Sequence, residues 1–195
     1  MMHYNETSQA LTVSKAVPSK FVKPLAWVLL GSVMLALFSQ IAIPVPFSNI
    51  RFTMQTFAVL MLGTLMGKKY GTLSVVAYLF QGSCGLPVFA GATCNSFWYA
   101  GVSGGYLFGF VAAAWLVGAL CEKWTKTSLK RLIVANSCAA FVILFCGWAW
   151  LSAIMGATNA FYVGVLPFIF GDIVKAVSAA FIAKGYIDFR KPKAK

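Results

Sequence analysis

From Pro24 to Pro44 the chain carries no charged residue, a stretch of about 20 residues that can cross the hydrocarbon core of a bilayer as one helix. Five more apolar runs follow, at roughly Thr53–Met66, Gly71–Gly82, Ser103–Cys121, Leu132–Ile154 and Leu166–Ala183. Uncharged runs on this scale read as membrane-spanning helices. Composition agrees, with 60% of residues hydrophobic and 10% charged, against about 25% charged in soluble domains. The expected fold is an all-α membrane protein with six transmembrane helices over residues 24–185, between a polar segment 1–23 and a basic tail 186–195. A chain of 195 residues then has no room for a second domain. A cleaved secretory signal would also begin with one apolar run, but a soluble mature chain would follow it. Here further apolar runs follow instead.

The net charge of +12 is distributed asymmetrically. Fourteen of the 16 basic residues fall in four places. Lys15, Lys20 and Lys23 precede span one, and Lys68 and Lys69 separate spans two and three. Lys123, Lys126, Lys130 and Arg131 separate spans four and five, and Lys184, Arg190, Lys191, Lys193 and Lys195 follow span six. All four places lie on the same side of a six-span chain. Arg51 falls on the opposite side and Lys175 inside the last span. Because Lys and Arg concentrate in cytoplasmic loops, both termini are expected in the cytoplasm. The basic excess therefore reads as an orientation signal with added attraction to anionic membrane lipid, and no nucleic-acid partner is expected.

The outer connections are the unusual ones. Ile43–Phe52, Ser83–Val102 and Ala153–Val165 are long and contain Gly or Pro, and long loops are where sites concentrate. The second and third runs are too short for an upright crossing, which suggests broken or re-entrant segments, or tilted ones in a thinned bilayer. Irregular backbone at membrane depth must be buried in protein or line a cavity, and short interrupted segments point to the binding site of a transport protein. Small residues every fourth position allow close helix approach. Gly101, Gly105, Gly109 and Ala113 form one such row, Ala176 with Ala180 and Ala179 with Ala183 form others, and Ser32 with Ala36 a weaker one that could face a neighbour or a second subunit.

Within the apolar runs the two ionisable residues of note are Asp172 and Lys175. At i and i+3 they share a helix face, and each costs about 2.5–3.5 kcal/mol to place at the membrane centre. Intramembrane charges at that cost mark function by default, since a pair kept for stability alone gains little after desolvation. Lys offers a point charge to a carboxylate, and Asp accepts hydrogen bonds from N–H groups. The pair suits an anionic solute with a urea- or amide-like edge. Gln55, Asn95, Ser96 and Tyr106 could complete the pocket, with Trp98, Tyr99, Phe89 and Phe47 as flat walls. The aromatic residues fit an interfacial belt equally well, and Gln55 and Asn95 fit ordinary caps or turns.

Other chemistry is disfavoured. His3 is the single histidine, so no His-based metal site or triad is expected, and no cofactor is implied. The five cysteines at 84, 94, 121, 138 and 146 show no C-x-x-C spacing. Cys84 and Cys94 share an outer connection and could pair in an oxidising compartment. The run Gly63-Thr-Leu-Met-Gly67-Lys68-Lys69 fails as a phosphate loop because only three residues separate the glycines and no Ser or Thr follows the Lys.

Several motifs in order carry a family resemblance. They are Gln40-Ile-Ala-Ile-Pro-Val-Pro-Phe47, Thr53-Met-Gln-Thr56, Tyr78-Leu-Phe-Gln-Gly82, Gly85-Leu-Pro-Val-Phe-Ala-Gly91, Gly104-Gly-Tyr-Leu-Phe-Gly-Phe110 and Pro167-Phe-Ile-Phe-Gly-Asp-Ile-Val-Lys-Ala176. Across residues of about 25–185 the chain resembles the BioY family of biotin transporters, the substrate-binding (S) components of energy-coupling factor transporters. The resemblance implies a six-helix S-component fold with an outward-facing pocket capped by the loop between helices one and two. It also implies that Asp172 and Lys175 bind biotin with an Asn of the third outer segment, for which Asn95 is the best candidate. It further implies an EcfT-like membrane subunit and EcfA-like ATPases as partners, although some relatives work alone, and a place in the bacterial cell (inner) membrane. Three features depart from the family pattern: Arg51 in place of a proline, Gly101-Val-Ser-Gly-Gly-Tyr106 in place of Gly-Pro-Thr-Gly-Gly-Tyr, and Ala92-Thr-Cys-Asn-Ser-Phe-Trp-Tyr99 in place of a glycine-rich loop. The first sets a cation in the lid, within reach of a ligand carboxylate.

The expected function is thus biotin uptake by a transport subunit that is not itself an enzyme. Two other readings remain open on the sequence: an S component for another vitamin, and an intramembrane enzyme using Asp172 and Lys175 as acid and base. The second needs a third activating group, and the sequence offers none.

Overall fold

The apolar runs fold as helices, and the Gly- and Pro-containing connections between them break the pattern. In a computed structural model, residues 19–45, 50–124 and 128–190 are described. His3, Lys15, Phe47, Asn49, Lys126, Lys191, Lys193 and Lys195 lie outside them. The helices are α1 (Ser19–Gln40), α2 (Gln55–Ser83), α3 (Gly104–Lys123), α4 (Leu129–Met155), α5 (Ala157–Gly164) and α6 (Leu166–Arg190). Strands β1 (Ala42–Pro44) and β2 (Arg51–Thr53) form an antiparallel pair between α1 and α2, with Ile43 opposite Phe52. A 3-10 turn at Trp98–Ala100 precedes α3. Among the described residues, four helices are able to cross a membrane by length and apolar composition: α1 over Lys23–Gln40, α3, α4, and α6 over Leu166–Phe189.

These six helices do not correspond one to one with the six expected spans. The second and third runs both lie in α2, whose helical geometry breaks at Gly67, with φ 75° and ψ 177°. Only glycine enters that backbone region without strain. The chain reverses there, so α2 is a hairpin of two short arms rather than one rod. Gln55 near one end of α2 hydrogen-bonds Tyr78 near the other, although a straight helix would hold them about 35 Å apart. Gly71 sits so close to the first arm that a methyl group on it would stand 2.9 Å from Gly63 Cα. Glu122 at the end of α3 closes the turn, accepting from Lys68 N at 2.9 Å and pairing with Lys68 Nζ at 3.4 Å. The failed phosphate loop is therefore a helical-hairpin turn. The fifth helix, α5, is eight residues inside the third expected outer connection, and at about 12 Å it is too short to cross a bilayer.

Small residues set the helix spacing, as expected. Gly105 and Gly109 face α4, where a methyl on Gly109 would stand 3.0 Å from Ile143 Cα. Gly63 meets the backbone of Ala114, and Gly118 the backbone of Gly67 and Lys68. Ala176, Ala179, Ala180 and Ala183 are fully buried, on a helix that packs against α2 and α4. The first member of the α3 row, Gly101, lies in the turn before the helix. Ser32 is also buried and accepts from Gln81 Nε2 at 3.0 Å, which turns that face of α1 toward α2.

Candidate functional site

At one end of the bundle the β1–β2 hairpin, the connection 84–103 and α5 converge over the ends of α2, α3, α4 and α6. The connection is held by the end of α1. Ser39 Oγ donates to Val88 O at 2.6 Å, Gln40 Nε2 donates to Phe89 O at 3.3 Å, and Gln40 Oε1 accepts from Ala92 N at 2.8 Å. A tight turn with a Phe89–Thr93 bridge and positive φ at Gly91 and Ala92 brings the chain back over the site. Arg51 Nη1 donates to Ala90 O at 2.9 Å, tying β2 to this turn. Beneath lies a cavity of about 310 Å³.

All six residues expected to bind substrate line this cavity: Arg51, Gln55, Asn95, Tyr106, Asp172 and Lys175. Asp172 and Lys175 are buried to 4% and 5% exposure, and Lys175 Nζ donates to Asp172 Oδ1 at 3.0 Å. The ammonium also stands 3.6 Å from the centroid of the Phe52 ring, a cation–π contact that partly replaces its lost hydration. Phe52 in turn stacks on Phe168 at 6.0 Å between ring centroids. The charge pair is therefore seated on an aromatic bed supplied by the lid strand and α6.

The other expected residues have more divided roles. Gln55 is buried, with its amide nitrogen donating to Tyr78 Oη and its oxygen accepting from Thr53 Oγ1 at 3.1 Å. Tyr106 donates its hydroxyl to Gly164 O and presents its ring to the cavity as a wall. Asn95 uses its side-chain oxygen to accept from Phe97 N at 2.8 Å, so it makes the turn expected as one alternative and also faces the cavity. Of the proposed aromatic walls, Trp98 and Phe89 line the cavity; Tyr99 and the polar Ser96 do not. Trp98 is braced by Ser83 Oγ at 2.9 Å and by Phe108 at 4.9 Å between centroids. Cys84 and Cys94 are both exposed free thiols.

Several lining residues escaped the sequence reading: Thr56, Phe110, Ile143, Leu144 and Phe168. Phe168 had a legible signal, because it lies four residues before Asp172 and seven before Lys175 and so shares their helix face. The α4 residues had none, since Ile143 and Leu144 look like any other apolar positions of a span. Among the described residues no group of three His, Cys, Asp or Glu could hold a metal ion.

The profile of the BioY family matches residues 7–191. The chain belongs to the BioY family. Among similar proteins, the biotin transporter BioY of Thermotoga maritima is 37% identical over 142 residues, covering 72% of this chain and 83% of that protein. The probable biotin transporter BioY of Pyrococcus horikoshii is 38% identical over 143 residues, covering 73% and 83%. A crystal structure of the S-component for biotin from an ECF-type ABC transporter superposes with a TM-score of 0.79 at 27% identity, covering 88% of this chain and 94% of that one.

Proposed function

We propose that this BioY-family chain is the biotin-binding S component of an energy-coupling factor transporter, a transport subunit for vitamin uptake and not an enzyme. The observation that carries this reading is the Asp172–Lys175 pair buried in a lidded cavity of about 310 Å³. Asp172 accepts from the ureido N–H groups of biotin, with Asn95 beside it. Lys175 donates either to the ureido oxygen or to the valerate carboxylate. Tyr106, Phe168 and Trp98 supply flat surfaces for the fused rings, and Gln55 holds the pocket edge through Tyr78 and Thr53. The names of the similar proteins and of the matching crystal structure support biotin as the ligand.

The chain crosses the membrane six times, with each arm of α2 counted as one crossing and α5 as none. Both termini and the Gly67 turn are cytoplasmic, as the fourteen clustered cations favour, and the cavity opens outward. The host membrane is the bacterial cell (inner) membrane. An EcfT-like membrane subunit and EcfA-like ATPases provide the energy, with solitary operation as the alternative assembly. Competition binding to the purified protein tests the reading: labelled biotin is displaced by biotin and not by riboflavin or thiamine. Displacement by either of those vitamins, or no retained biotin, overturns it.

A further inference from the structure

Among the described residues three charged side chains line the cavity, Arg51, Asp172 and Lys175, and their arrangement divides a ligand into two parts. Asp172 and Lys175 are joined at 3.0 Å, so the buried end is zwitterionic with no net charge. The remaining charge is Arg51 on the lid strand, which is exposed and lines the same cavity. Its seen partner is the neutral carbonyl of Ala90, and no described carboxylate lies within ion-pair distance of it. Among the described residues the cavity lining therefore carries one net positive charge, on Arg51 of strand β2.

A ligand carboxylate gains little at the buried pair. Approaching Lys175, it also approaches Asp172, and taking Lys175 for itself would strand Asp172 as a buried unpaired carboxylate, a loss that is strongly destabilising. A neutral group with a donor edge and an acceptor, such as a urea, meets Asp172 with its N–H and Lys175 with its carbonyl and leaves the pair intact. Resting on the biotin reading above, we infer that Arg51 is the carboxylate receptor of this site, and that the Asp172–Lys175 pair takes only the uncharged ureido head. The guanidinium has five N–H donors in a planar fork, enough to hold Ala90 and a carboxylate together. Ligand binding then fastens the β1–β2 lid through the same residue that ties it to the 89–93 turn.

The test compares biotin with biotinamide, which keeps the rings and side chain but has no negative charge. Both are titrated against purified wild-type protein, Arg51→Gln and Arg51→Lys. Wild type is expected to prefer the acid by about tenfold, the scale of a charge-assisted hydrogen bond at a partly exposed site. In Arg51→Gln the acid-to-amide ratio falls to about one, and Arg51→Lys restores part of it. Raising the salt concentration narrows the wild-type ratio toward that of Arg51→Gln. Equal wild-type binding of acid and amide overturns the assignment of Arg51 while leaving the biotin reading standing. So does a preference that survives in Arg51→Gln. If neither compound binds wild type, the biotin reading itself fails, and the role of Arg51 with it. Should Arg51→Gln not fold, the ratio in Arg51→Lys and the salt dependence of the wild-type ratio carry the same test: an acid preference unmoved by both overturns the assignment.

Discussion

Replacing Lys175 by Met separates a ligand-binding pair from a merely structural one, provided that it is read beside the double variant Asp172→Asn/Lys175→Met. Lys175 Nζ and Asp172 Oδ1 are 3.0 Å apart, and each side chain is 5% exposed. Methionine keeps the apolar stem of the lysine but strands the aspartate, and breaking a buried pair on one side costs about 3–5 kcal/mol. It also removes one charge-assisted hydrogen bond to the ligand, about 1.5–3 kcal/mol. At 1.4 kcal/mol per factor of ten, that bond alone lowers affinity about 10- to 100-fold. The single variant should therefore lose both thermal stability and biotin binding. The double variant, with no charge left to strand, should regain stability, yet biotin binding should stay at least about tenfold weaker than in wild type. Equilibrium binding of labelled biotin and thermal unfolding in the same detergent measure the two quantities side by side. A double variant that recovers affinity together with stability would refute the reasoning, because the pair would then serve the fold alone. Undiminished affinity in the single variant would do the same.

Three further outcomes follow from the geometry. Gly67→Ala places a side chain at φ 75° and its methyl 2.5 Å from Glu122 Oε1, so unfolding should become easier by about 1–3 kcal/mol; an unchanged melting temperature would mean that the hairpin turn is not held as described. Phe168→Ala removes a cavity wall and the stacking partner of Phe52, and biotin affinity should fall about tenfold, the scale of one lost aromatic contact; titration showing no change would take Phe168 out of the site. Cys94 is exposed at the lidded end of the bundle, so a variant keeping Cys94 as its one cysteine should react with a membrane-impermeant maleimide added to intact cells. Reaction only after the cells are opened would reverse the proposed orientation.

The legible parts of this protein were those written in local pattern. Uncharged runs revealed the helices, and i, i+3 spacing placed Asp172 and Lys175 on one face, because helix geometry is the same wherever the chain folds. The short length of the second and third runs flagged irregularity but not its form. The reversal at Gly67 is a tertiary feature, marked by its backbone angles, by the close approach of Gly71 to Gly63 and by the Gln55–Tyr78 hydrogen bond. Likewise α5 was hidden in what read as a loop, and Ile143 and Leu144 carried no mark that distinguished a cavity wall from a lipid-facing or core position.

From the sequence alone came the membrane class, the number of apolar runs, the lopsided charge and a set of residues capable of holding an anionic solute. Each depends on hydropathy, charge or periodicity within a few turns of chain. Tertiary structure decided that Arg51, Asn95 and Lys175, scattered from the lid strand to the last helix, share one cavity. It also decided which polar groups are already engaged, as the Tyr106 hydroxyl is with Gly164. Those outcomes depend on how helices pack at small residues and how loops fold back over them, which brings distant positions together by contacts that no local pattern encodes.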